Sequence, residues 1–116
     1  MSYIDGFVVP VPTHKKEEYR EMCARAAEVF KEHGAIKLVE CWGDDVPDGK
    51  VTDFKGAVKA EAGETVVFSW IVWPSKAVRD EGHAKVVKDP RNLSGTDMPF
   101  DGKRMIYGGF DVLFEG

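Results

Sequence analysis

The chain has 116 residues, 43% apolar and 31% charged, enough for one compact domain over residues 1–116 and too few for a second. Its 20 Asp and Glu exceed its 16 Lys and Arg, which argues against nucleic acid as a partner, because phosphate-backbone binding needs clustered cations. The longest apolar run, Val66 to Trp73, is too short for a membrane span and is interrupted by Ser69.

Tyr3 to Val11 is apolar on both parities, a pattern that predicts a strand covered on both faces, with Asp5 as the polar exception and Pro10 and Pro12 ending the ladder. Thr13 is placed to cap a helix running to about His33, with Glu17 and Glu18 near its positive end. Tyr19, Met22, Cys23, Ala26, Val29, Phe30 and His33 form its apolar stripe, and Gly34 stops it. Ala35 to Trp42 alternates with mixed polarity and predicts an edge strand, with Ile36, Leu38, Glu40 and Trp42 on one side.

Glu40 to Asp53 follows, with five carboxylates against Lys50, a formal charge of −4 that equals the whole chain's. Pro47-Asp48-Gly49 predicts a tight turn inside it. Phe54 to Ala60 alternates as a half-exposed strand and turns through Glu61 to Glu64 into Thr65 to Trp73, again apolar on both parities. Ser75 caps a second helix, interrupted by Gly82 and stopped by Pro90. Asn92 to Asp101 reads as a loop, and Lys103 to about Phe114 as a last strand whose Gly108-Gly109 pair implies a bulge or a closely packed ring.

The order β-α-β, hairpin, β-α-β is the ferredoxin-like βαββαβ plan, an α+β fold with an antiparallel sheet. Two helices cover only one face of such a sheet, yet both inner strands are apolar on both faces. Each buried CH₂ contributes about 0.8 kcal/mol, so the second face needs a partner. The expected solution is a homodimer through sheet faces, a dimeric α/β barrel.

Five segments carry a resemblance. They are Tyr3 to Val9, Glu40 to Phe54, Val66 to Ile71, Pro74-Ser75-Lys76 with Arg79-Asp80, and Met98 to Phe110. Across essentially the whole chain they resemble the YbaA-like bacterial proteins, domain-of-unknown-function family 1428. The resemblance implies the dimeric α/β barrel superfamily, which includes cofactor-independent monooxygenases, and it carries over no catalytic set.

The candidate chemistry is therefore read from residues. Asp5, a carboxylate in a central strand, needs a cation, and Arg104 is the expected partner; an ion pair is the bland role, an acid or base the sharper one. His83 is the histidine to keep, because the second helix faces the sheet; His14 and His33 suit helix-end roles. Trp42, Ser69, Trp70 and Tyr107 are candidate ligand contacts, with core packing as the alternative for the aromatic ones. No metal-ligand spacing is present, no cofactor is implied, and a solvated turn outweighs a cation site in the acidic stretch. Cys23 and Cys41, both in apolar periodic segments, are expected to be free thiols in a reducing cytoplasm.

The leading expectation is a cytoplasmic homodimer that binds a small apolar or aromatic metabolite. A monooxygenase-like enzyme using Asp5, His83 and Arg104 is the first alternative. A protein-interaction module using Glu40 to Asp53 is the second.

Overall fold

The computed structural model describes residues 2–91 and 98–116. Residues 92–97, most of the loop expected from Asn92 to Asp101, lie outside the described residues. The strands are β1 (Tyr3–Pro12), β2 (Lys37–Trp42), β3 (Glu64–Trp73) and β4 (Ile106–Asp111). The helices are α1 (Lys16–Glu32), the short α2 (Phe54–Ala57) and α3 (Lys76–Lys88), with 3₁₀ turns at Thr13–Lys15 and Gly102–Arg104. The strands form one antiparallel sheet in the order β2-β3-β1-β4, so the two strands apolar on both parities are the inner ones.

The proline pair does not end β1. Its pairing with β3 continues to Pro12↔Glu64, whereas its pairing with β4 stops at Val8↔Ile106. The Thr13 amide donates to the Gly63 carbonyl at 2.9 Å, so the alternate positions Pro10 and Pro12 turn their nitrogens toward the edge that β4 has already left. No ladder hydrogen bond is lost there. Thr13 also does not cap α1; its hydroxyl meets the Thr65 hydroxyl at 2.7 Å, and α1 starts without a side-chain cap. Ser75 does cap α3, accepting from the Val78 amide at 3.2 Å.

The largest departure from the sequence reading is Phe54 to Ala60, which is α2 and a loop rather than a strand. Phe54 and Val58 satisfy the strand period of two and also the helical step of four. Asp53 decides between them, because its carboxylate accepts from the Gly56 amide at 2.6 Å and caps a helical turn. The other Asp53 oxygen accepts from the Gly49 amide at 3.1 Å, closing a bend where a tight turn was expected at Pro47-Asp48-Gly49. The last strand is shorter than Lys103 to Phe114. Its start is taken by the Gly102–Arg104 turn, and its end at Asp111 faces Tyr3, where β1 begins.

Side chains of alternate parity divide the sheet. Tyr3, Asp5, Val9, Val11, Val67, Ser69, Ile71 and Trp73 point to the helices and are buried. On the other face lie Ile4, Val8, Val39, Trp70, Val72 and the exposed Phe68, Ile106 and Phe110, of which Phe110 is 60% exposed. The α2 segment meets this face at Phe54, whose ring stands 6.1 Å from Phe68.

Gly82, expected as an interruption of the second helix, and Gly109, of the pair expected to mark a bulge or a closely packed ring, both allow close approach on the helix side. A Cβ at Gly82 would lie 2.5 Å from Trp73 Cζ3 and 2.6 Å from the His33 carbonyl oxygen, so only glycine lets α3 settle against Trp73 and the end of α1. A Cβ at Gly109 would lie 2.8 Å from both Arg79 Nη2 and Tyr3 Cε2. Gly109 therefore makes room for a ring and a guanidinium.

Candidate functional site

Asp5 sits near the start of β1 on its helix-facing side, opposite Ile71 on β3 and Gly109 on β4. Its carboxylate is 3% exposed and is met by three side chains. Trp73 Nε1 donates to Oδ2 at 2.8 Å, Arg79 donates to Oδ1 through Nε at 3.0 Å and Nη2 at 2.9 Å, and His83 Nε2 lies 2.7 Å from Oδ2. Arg79 and His83 are four residues apart on α3 and so share one helix face, which the close approach at Gly82 presses onto the sheet. The Arg79 guanidinium also lies 5.2 Å from the centre of the Tyr3 ring, a favourable cation–π distance.

This geometry replaces Arg104 as the partner of Asp5. Arg104 forms a two-pronged pair with Glu64, both contacts at 2.7 Å, and a further contact with Asp101 at 3.0 Å. Hydrogen bonding from Arg104 holds the Glu64 carboxyl below its usual range. Arg104 thus fastens the turn before β4 to the start of β3, and the Asp5, His83 and Arg104 set does not assemble. Sequence reasoning offered Arg79 as a polar anchor beside Ser69 but did not pair it with Asp5; the signal for that pairing was its four-residue spacing from His83 on a helix that faces the sheet.

The Asp5 carboxylate oxygens accept, Oδ1 from Arg79 and Oδ2 from Trp73. Facing an accepting oxygen, His83 Nε2 serves as the donor, and Nδ1 makes no hydrogen bond among the described residues. The imidazole stands edge-on between Phe30 and Trp73, at centroid distances of 6.4 and 5.5 Å. It also forms part of the wall of a cavity of about 330 Å³ between α1, α3 and the β1–β4 side of the sheet. From α1 come Met22, Ala26, Val29 and Phe30, and from α3 Val86 and Val87 beside His83. Phe7, Met105 and Tyr107 close the sheet side, and Arg91 and Met98 complete the described lining. Such a space suits a small apolar body, with His83 and Arg91 as polar points.

Of the other candidates, Tyr107 belongs to this cavity, stacked 6.4 Å from Phe7. Trp70 is on the opposite sheet face beside Phe68. Trp42 lines a second cavity, of about 230 Å³, between α1 and the β2 edge; Ser69 is buried opposite Glu40 in the sheet and is not part of its lining. The aromatic residues and Ser69 therefore do not form one site.

Glu40 is a residue that the sequence placed on a surface stretch and the structure turns inward. Tyr19 donates its hydroxyl to Glu40 Oε1 at 2.8 Å. Burial raises the Glu40 carboxyl above its usual range, opposed in part by hydrogen bonds from Tyr19, Cys23 and Ser69. Burial and the nearby Glu40 push the Cys23 thiol up to about 12. Cys41, next to Glu40 in sequence, faces the other side of β2, and both cysteines are unpaired. Asp53 acts as a cap and Asp48 pairs with Lys55 at 3.2 Å, so much of the acidic stretch serves its own loop. Among the described residues no cluster of His, Cys, Asp and Glu could hold a metal ion, and no helix is long and apolar enough to cross a membrane.

Together these features define an α+β protein with an apolar cavity and an aspartate-held histidine on its wall. The chain belongs to the family described as Protein of unknown function (DUF1428), whose profile matches residues 2–102. It is 63% identical over 116 residues to the Uncharacterized protein YbaA of Escherichia coli (strain K12), covering 99% of each chain. The identity and coverage are the same for Uncharacterized protein YbaA of Shigella flexneri. Among solved structures it is similar to that of Rv0793 from Mycobacterium tuberculosis, at 15% identity and a TM-score of 0.47, over 98% of this chain and 96% of the other.

Proposed function

We propose that the chain acts as a homodimer of ferredoxin-like subunits packed sheet to sheet into an α/β barrel, each binding a small apolar or aromatic metabolite. The observation that carries the ligand reading is His83 on the wall of the 330 Å³ apolar cavity, its ring held by Nε2 at 2.7 Å from Asp5 Oδ2. A flat ligand fills the space between α1 and the Phe7–Tyr107 pair, and its hydroxyl donates to His83 Nδ1. Ligand binding is tested with 1-naphthol and naphthalene followed by calorimetry. Wild-type protein should prefer the naphthol, and His83→Ala should remove that preference while still binding naphthalene. Equal affinity of the wild type for both compounds overturns the role of His83.

The dimer reading rests on the apolar face that one chain leaves open, with Phe68 46% and Phe110 60% exposed. Contiguous apolar surface of this kind is costly in water. Sedimentation should give a dimer at micromolar concentration, and Trp70→Glu should shift it to monomer. A wild-type monomer overturns this reading. The free thiols of Cys23 and Cys41 fit a reducing, cytoplasmic setting.

The His83–Asp5 contact also favours an enzymatic use of the same cavity. His83 Nδ1 can take the proton of a hydroquinone hydroxyl, and the resulting anion is oxidised by dioxygen. One oxygen atom enters the ring to give a hydroxyquinone and the other leaves as water, so the substrate supplies all the electrons. Oxygen uptake with hydroquinones that depends on His83 supports this reading, and uptake unchanged in His83→Ala excludes it.

A further inference from the structure

The second cavity has a different chemical character. Its inner wall carries Glu40, hydrogen-bonded to Tyr19 on α1 at 2.8 Å, and receives hydrogen bonding from Cys23 on α1 and Ser69 on β3. All three are neutral groups. Among the described residues Glu40 takes part in no ion pair, although Lys16 and Arg20 line the same cavity. Arg20 is engaged with Glu17 at 3.4 Å. Lys16 holds its ammonium 5.5 Å from the centre of the ring of Trp42, which lies two residues from Glu40 on the same face of β2, so this ring already draws a cation. A shielded carboxyl beside an aromatic face is an arrangement that recognises ammonium groups, and the cation is the missing component.

We propose that the cavity between α1 and the β2 edge is a binding site for a small primary amine with an apolar body. The ammonium completes Glu40 and competes with Lys16 for the Trp42 ring, and the apolar body lies against Trp42 and Val67. Shielding of the Glu40 carboxyl fits this role, because burial disfavours its charge until a cation arrives.

Benzylamine and benzyl alcohol, of the same shape but different charge, test the site when titrated at pH 7.5 up to about 10 mM. Binding is read from the Trp42 indole N–H resonance, assigned with Trp42→Phe, with those of Trp70 and Trp73 as controls. The amine should bind at least tenfold tighter than the alcohol. Glu40→Gln should reduce the amine to the level of the alcohol, and Lys16→Ala should tighten it at least twofold by removing the competing cation. Equal Trp42 shifts with the two probes, or no shift with either, overturn the proposal. The same holds if Glu40→Gln keeps the wild-type preference for the amine. The wild-type comparison of amine with alcohol stands even if Glu40→Gln fails to fold.

Discussion

Asp5 and Glu40 occupy the same face of the same sheet, on strands separated only by β3. Asp5 is surrounded by a guanidinium, an indole N–H and an imidazole, and its charge is matched where it lies. Glu40 is surrounded by a phenol, a thiol and a hydroxyl, with no cation in contact among the described residues. Burial without a counter-charge favours the neutral form, whereas burial with one locks the charged form in place. One carboxylate therefore acts as a fixed clamp between sheet and α3. The other holds its proton more tightly, because no cation among the described residues offsets its burial.

The comparison breaks most sharply at the clamp. Asp5→Ala leaves a buried void beside Arg79, whose remaining partner is the half-exposed Asp80 at 3.0 Å, and removes the acceptor of Trp73 Nε1. Loss of one partner of a buried pair costs about 3–5 kcal/mol. Urea unfolding should show that loss, and a change below about 1 kcal/mol would mean that Asp5 is not a structural clamp. The next largest effect is expected from Gly82→Ala. Its methyl would press on Trp73, and overpacking of this kind costs about 1–3 kcal/mol. Because the displaced helix carries Arg79 and His83, the variant should also weaken 1-naphthol binding in the first cavity while leaving the second unchanged.

Glu40→Gln probes the other side of the comparison through pH. The folded protein holds the Glu40 proton more tightly than the unfolded chain does, because burial raises its carboxyl. Between the unfolded and folded values the folded state binds more protons, so the Glu40 contribution to stability falls as pH rises through that window. The slope is at most about 1.4 kcal/mol per pH unit for one proton. Glutamine cannot ionise, so the variant should show a flatter stability profile above pH 4.5 in urea unfolding. Identical slopes for wild type and variant would place Glu40 in water.

How much of this was legible follows from which signals were unambiguous. The inner strands β1 and β3 showed themselves as apolar on both parities, and Ser75 and Pro90 bracket α3, which ends at Lys88. Phe54 and Val58 were ambiguous because steps of two and four coincide over so short a run. The cap that resolves them, Asp53, was counted as surface charge. Asp5 stood out as a carboxylate in an apolar strand, but its partner is distant in sequence, and Arg104 was chosen by expected strand adjacency. The contact is made instead by Arg79, which α3 carries across the sheet. Glu40 was hidden by its acidic neighbours, although its parity with Leu38 and Trp42 already pointed it inward.

The smallest expected effect concerns the thiols, and it separates the two sheet faces as well as the two carboxylates. Cys23 lies on the helix side, buried beside Glu40, and its thiol is pushed up to about 12. Since the thiolate is the reactive form, Cys23 should resist Ellman's reagent at pH 8 until the protein unfolds. Cys41 lies on the opposite face, in the row with Phe68, where a single chain leaves it partly accessible. A sheet-to-sheet dimer would cover it. Labelling should therefore be slow for both cysteines in wild-type dimer and become fast for Cys41 alone in Trp70→Glu. Fast labelling of Cys23 in the folded protein would remove the case for a shielded Glu40. Fast labelling of Cys41 in the wild type would argue that the second face is open.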